Sequence, residues 1–246
     1  MIASLVIKQV WLLLIVFITE FLTGMLVHYK KLRVNYTRKI VHFVILIVPV
    51  VVEVITNTGQ YTVASFAAAG IANTIAMLIF INPIRKRSRV ISRMFMSLDR
   101  PEDRPHTVIW MVSQVIVGYT LMTPFTLFFQ SKGQTIMAII PVIITGIGDG
   151  LAEPVGVRFG KHKYRTHALF SRKKYIRSIE GSACVFVVSI LTILLFISSF
   201  SGMQQIILLT VLPVAMTLAE AFSPHTWDNP FLLLIGYIII YLVMLI

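Results

Sequence analysis

A chain of 246 residues that is 57% hydrophobic and only 13% charged is too apolar for a soluble domain, where about a quarter of the residues carry charge. These proportions exclude an ordinary water-soluble enzyme and predict an integral membrane protein. The net charge of +12 would suit nucleic acid in a soluble protein; here the bases lie between hydrophobic runs, so topology and phosphate ligands account for them and no nucleic-acid partner is expected.

In chain order, about eight apolar runs approach the roughly 20 residues that a bilayer crossing needs. They extend from about Ser4 to Val27, Ile40 to Thr56, Tyr61 to Ile81, Thr107 to Phe129, Thr135 to Ala152, Ala183 to Phe200, Gln204 to Phe222 and Pro230 to Ile246. The expected fold is all-α: a polytopic integral membrane protein of about eight transmembrane helices, forming one membrane domain. The first run lacks a small-residue cleavage site and reads as a retained segment rather than a signal peptide. The single cysteine, Cys184, leaves no intrachain disulfide possible.

The loops alternate in charge. Of the 22 Lys and Arg residues, all but Lys8 and Lys132 fall in the loops after the first, third and fifth runs. The positive-inside rule places these polybasic loops in the cytoplasm and both termini outside. The same rule is reason enough for many of the bases, because cytoplasmic Lys and Arg set topology or touch anionic headgroups. The cluster Arg85 to Arg93 is read that way, and Asp99 to Arg104, punctuated by Pro101 and Pro105, reads as a solvated loop. The third basic loop, about 148–182, is different. It opens with Asp149 and Glu153, runs through Arg158, Lys161, Lys163, Arg165, Arg172, Lys173, Lys174 and Arg177, and closes with Glu180. Acids able to hold a divalent cation beside bases able to hold phosphates suit phosphoryl transfer, whose chemistry is mostly charge neutralisation and positioning.

The ten acids sharpen this reading. Glu53 falls near the outer end of the second run, and Glu20 lies inside the first, where an acid is a functional hypothesis or pairs with a base from the next loop. Asp149, Glu153, Glu180, Glu220 and Asp228 all fall at or near the cytoplasmic ends of the fifth, sixth and seventh runs. Asp149 and Glu153, at i and i+4, would share a helical face, and Pro154 is expected to stop that helix. Mg²⁺ takes one or two carboxylates and completes its shell with substrate phosphates, so Asp149, Glu153, Glu220 and Asp228 are the candidate metal ligands. Arg38, Lys39 and His42 open the second run on the same membrane face and are candidate phosphate binders. No zinc signature, Walker A loop or nucleophile elbow is present.

These pieces together resemble the polyprenol kinase family, the CTP-dependent dolichol and phytol kinases. The resemblance rests on Arg38-Lys39-Ile40-Val41-His42, on Gly148-Asp149-Gly150-Leu151-Ala152 with the Gly156 to Lys161 stretch after it, on Arg177-Ser178-Ile179-Glu180-Gly181-Ser182, and on Glu220-Ala221 with Asp228-Asn229. It departs from the family at Arg177, where Lys is usual, and in a longer basic loop. The resemblance implies a lipid-alcohol kinase that uses CTP and Mg²⁺ at the cytoplasmic face. Asp149 and Asp228 would hold the metal, supported by Glu153 and Glu220. Arg38, Lys39, His42, Arg158, Lys161, Arg177 and Asn229 would hold the nucleotide, and Glu180 would orient the alcohol or take its proton. The alternatives are a cytidylyltransferase forming a CDP-lipid and a transporter or binding protein for a phosphorylated lipid.

Overall fold

The structure is a computed structural model that describes residues 2–56, 60–168 and 171–246. Residues 57–59 of the expected outer loop, and the side chains of Arg172 and Lys173, lie outside the described part. Each of the expected apolar runs is helical. Helices α1 (Ile2–Lys30), α2 (Val34–Thr56), α3 (Val63–Leu78), α4 (Asn82–Arg87), α5 (Arg89–Met96) and α6 (Thr107–Ser131) come first. A helical segment then runs from Thr135 through α7 (Ile139–Ile143), a π-helical turn (Ile144–Asp149) and α8 (Gly150–Phe159). Strands β1 (Lys163–Ala168) and β2 (Ser171–Ser178) precede α9 (Ile179–Leu195), α10 (Gly202–Phe222) and α11 (Asp228–Val243).

Among the described residues, 5 helices are long and apolar enough to cross a membrane: Leu5–Lys30, Val34–Thr56, Thr107–Ser131, Thr135–Phe159 and Gly202–Phe222. The apolar helices α3, α9 and α11 have 16, 17 and 16 residues, fewer than the roughly 20 of a perpendicular crossing.

The chain divides into two units, Met1–Tyr119 and Thr120–Ile246. In the first, a turn with Lys31 in the left-handed region (φ 54°) joins α1 to α2. The core gathers Val41, Phe80, Met94, Phe95 and Leu98, with Phe17 and Phe21 packed against it. Gly24 lets α1 approach α5 closely: a Cβ there would meet the Arg93 carbonyl oxygen at 2.1 Å. Glu53 forms an ion pair with Lys8, which accounts for an acid near the end of a span. Glu20 is fully buried, and neither of its oxygens has a hydrogen-bond partner among the described residues, so of its two sequence readings the pairing with a base from the next loop is not made. The stretch Asp99 to Arg104, expected as a solvated loop, is solvated only in part: Glu102 and Arg104 are exposed, whereas Arg100 and Asp103 are not. Arg100 and Asp103 are buried as a paired fork, Nε to Oδ2 at 2.7 Å and Nη2 to Oδ1 at 3.2 Å. Asp99 accepts from Thr107 at 2.7 Å and from Arg104 Nε at 2.7 Å. Opposite charges here satisfy one another, which lets a charged stretch leave water.

In the second unit, α9 packs against α8 and α10, and α11 packs against α10. Close approach is built into the α8–α9 contact. A Cβ on Gly148 would lie 3.1 Å from Val185 Cα, and one on Gly181 would lie 2.6 Å from the Ala152 carbonyl oxygen. Pro154 does not stop the helix: it lies within the first turns of α8, which continues to Phe159. The buried Tyr237 hydroxyl donates to the Ala138 carbonyl at 3.1 Å, and Phe125 stacks on its ring at 5.1 Å.

Candidate functional site

The third basic loop is an antiparallel β-hairpin. Its register pairs Tyr164 with Arg177, Arg165 with Ile176 and Thr166 with Tyr175. Side chains alternate across a strand. Thr166 is buried and Tyr164 half-buried, while Lys163, Arg165 and His167 are exposed. The half-buried Arg177 shares the inner face with its pair partner Tyr164. The Ser178 hydroxyl then caps α9, accepting the Gly181 N–H at 3.1 Å, as expected of serine at a helix N-cap.

Arg177 is the hub of the inner face. Its Nη1 lies 2.8 Å from Glu220 Oε1 and also donates to the Glu220 carbonyl oxygen; its Nη2 is 3.7 Å from Asp228 Oδ2. Glu220 is buried in the last turn of α10, and Asp228 opens α11, where a carboxylate complements the helix dipole. Burial works against the Arg177 charge, but the negative charges of Asp228, Glu220 and Asp149 outweigh it and raise the guanidinium pKa. Asp149 is buried at the end of the π-helical turn; such turns recur at functional sites. Three of the acids expected at the site therefore act on one guanidinium.

Two further residues join them. The Tyr164 hydroxyl and Ser182 Oγ are 2.6 Å apart, and Ser182 Oγ donates to Glu220 Oε2 at 2.6 Å. The hairpin, α9 and α10 are thus linked by the chain Tyr164–Ser182–Glu220–Arg177. Burial, and then the negative charge of Glu220, raise the Tyr164 pKa, keeping the phenol protonated. Neither Tyr164 nor Ser182 was among the residues expected from the sequence. The signal for Tyr164 is the period-two alternation of Lys163-Tyr164-Arg165-Thr166-His167.

Glu180 is held elsewhere. Its carboxylate receives the His162 backbone N–H at 3.2 and 3.3 Å, and its Oε1 lies 2.8 Å from His162 Nδ1. A hydrogen bond from its own backbone, opposed by partial desolvation and aided by His162, lowers its pKa to about 2. Glu153 is half-buried on α8, Arg158 and Lys161 are exposed at and just beyond the end of α8, and Asn229 follows Asp228 in α11. The Arg158 guanidinium lies 5.3 Å from the Phe159 ring centroid. Arg38, Lys39 and His42 belong to the first unit. There Lys39 is buried, Arg38 and His42 are half-buried, and Thr37 fixes the start of α2 by donating to the Ser97 carbonyl at 2.9 Å.

Among the described residues, no three His, Cys, Asp or Glu side chains converge closely enough to hold a metal by themselves. The donor set suits an ion that takes one or two carboxylates and completes its shell with substrate phosphate and water, as Mg²⁺ does. Arg177 stands between the carboxylates of Glu220, at the end of α10, and Asp228, at the start of α11.

No family model matches the chain, and no solved structure matches it. Over 103 residues it is 34% identical to the phytol kinase of Synechocystis sp., an alignment that takes in 41% of this chain and 42% of that kinase. The similarity thus covers less than half of either protein.

Proposed function

We propose that the chain is a membrane lipid-alcohol kinase that transfers the γ-phosphate of CTP to an isoprenoid alcohol such as phytol, farnesol, geranylgeraniol or a polyprenol. The observation that carries this reading is Arg177 paired with Glu220 in the last turn of α10 and facing Asp228 at the start of α11, with the charge of Asp149 in the π-helical turn also acting on it. Similarity to a phytol kinase over 103 residues supports the acceptor class.

In the proposed reaction the alcohol oxygen attacks the γ-phosphorus, the bond to the bridging oxygen of the β-phosphate breaks, CDP leaves, and the alcohol proton passes to a carboxylate. Asp149 and Asp228 would hold Mg²⁺, with Glu153 and Glu220 in support; the ion supplies neutralisation of phosphate charge. Arg158 and Lys161, exposed beside the hairpin, would guide the nucleotide, with Asn229 near the start of α11 as a further polar contact. Arg177 orients the carboxylates. Glu180, with a pKa of about 2, is a weak base, and its role in the proposal is to hold His162 at the hairpin entrance.

An insoluble acceptor and an anionic donor meet most readily at headgroup level, and on the positive-inside pattern that level is the cytoplasmic face, with both termini outside. The test is to supply the purified chain and phytol with CTP labelled at the γ- or the α-phosphate. Label from the γ-position in extractable lipid supports the kinase. A CDP-lipid formed from α-labelled CTP and phosphatidate makes the protein a cytidylyltransferase, and no labelled lipid from either moves the reading to a binding protein or transporter.

A further inference from the structure

A second feature of the hairpin lies outside the carboxylate cluster. Between β1 and the end of α10 is a cavity of about 140 Å³ lined by Arg165, Thr166, His167, Phe222 and Pro224. Its walls are tied together. The His225 N–H donates to the His167 carbonyl at 2.9 Å, and the His225 ring stacks on Tyr175 with centroids 3.5 Å apart and planes 8° from parallel. Thr166 is 5% exposed, and its hydroxyl has no hydrogen-bond partner among the described residues. A buried hydroxyl without a partner is destabilising, and a bound acceptor would satisfy it.

The lining specifies the ligand. Arg165, exposed on the outer side of β1, brings positive charge to the rim, and the buried Thr166 hydroxyl offers a donor inside, whereas Asp149, Glu220 and Asp228 are absent from the walls. Such a lining suits an anion. The cavity volume is below the roughly 300 Å³ at which small-molecule pockets begin, so it admits a phosphate group but not a whole nucleotide. Its position favours one source of phosphate. Phe222 is the last residue of a helix long and apolar enough to cross a membrane, and it is 78% exposed. The cavity mouth therefore lies at headgroup level beside an uncovered aromatic ring. Ile176, across the hairpin from Arg165, is 68% exposed and adds apolar surface at the same level.

We infer that this cavity binds the phosphate of an anionic membrane phospholipid, and so pins the hairpin to the bilayer surface. The site is independent of the proposed kinase reaction. The test uses the full chain in nanodiscs of phosphatidylcholine containing phosphatidylglycerol, with lipid retention after transfer to detergent read by native mass spectrometry. The expected result is selective retention of phosphatidylglycerol over phosphatidylcholine. Arg165→Gln should lower that retention about five-fold, the effect of removing one base near an anionic surface. The near-isosteric Thr166→Val should also lower it without unfolding the chain, whereas Lys132→Gln, a base not lining the cavity, should leave it unchanged. Equal retention by the wild type, Arg165→Gln and Thr166→Val would overturn the inference. So would binding of inorganic phosphate that depends on Arg165 in a chain retaining no phosphatidylglycerol, because the site would then take a soluble anion.

Discussion

Arg177 of β2 and Glu220 of α10, 43 residues apart in the chain, stand 2.8 Å apart with side chains 12% and 6% exposed. This pair ties the basic hairpin to the ends of two apolar helices. It also depends on Arg rather than Lys at position 177. The fork of a guanidinium reaches Glu220 through one nitrogen and Asp228 through the other, which a single ammonium does less well.

Removing the guanidinium alone should leave Glu220 buried and unpaired. Arg177→Met is expected to cost about 3–5 kcal/mol, the usual loss when one partner of a buried pair is deleted. Arg177→Met combined with Glu220→Leu should recover much of it. Thermal unfolding in detergent measures both, and equal destabilisation by the single and double variants would refute the pairing.

Tyr164→Phe removes only the hydroxyl 2.6 Å from Ser182. We expect a loss of about 1 kcal/mol, typical of a neutral hydrogen bond. Amide exchange should quicken in β1 and β2 before it does in α10, because Ser182 keeps its bond to Glu220. Uniform quickening across the second unit would mean the hydroxyl is not a local latch.

Glu180 sets a pH dependence. Its folded pKa of about 2 lies below its ordinary 4.5, so the ionised form is favoured by folding. The stability it contributes is present above pH 4.5 and is lost as pH falls toward 2. Protection of the His162 amide should decline through that window in the wild type, while in Glu180→Gln it should be low and insensitive to pH there.

Gly181→Ala tests the α8–α9 contact. The added methyl would sit 2.6 Å from the Ala152 carbonyl oxygen, and overpacking of this kind costs about 1–3 kcal/mol. Lower thermal stability with altered activity is expected, because the shift displaces Ser182 from Glu220.

Much of the helical architecture was legible because apolar runs of spanning length leave few alternatives. Asp149, Glu220 and Asp228 stand out in the sequence for a related reason: acids are conspicuous in so apolar a chain, and these three border the basic loop or the short turn between the last two apolar runs. The hairpin was hidden by its charge. Lys163, Arg165 and His167 dominate the composition of β1, while the strand signal lies in the alternating Tyr164 and Thr166. The solvated reading of Asp99 to Arg104 holds for Glu102 and Arg104 but not for Arg100 and Asp103, which neutralise each other out of water. Glu180 stands two residues from the Ser178 cap and three from Arg177 in sequence, yet its carboxylate binds His162. Spacing along the chain does not reveal the turn from strand to helix that separates their side chains.

The central claim is that Asp149 belongs to a phosphoryl-transfer site. Its most direct measurement is transfer of γ-label from CTP to phytol by the wild type and by Asp149→Asn, each first shown to be folded by thermal unfolding. The account predicts labelled lipid with the wild type and a loss of about a hundredfold or more in the variant, the scale expected when an electrostatic or proton-transfer group is removed. Undiminished transfer by a folded Asp149→Asn would contradict it.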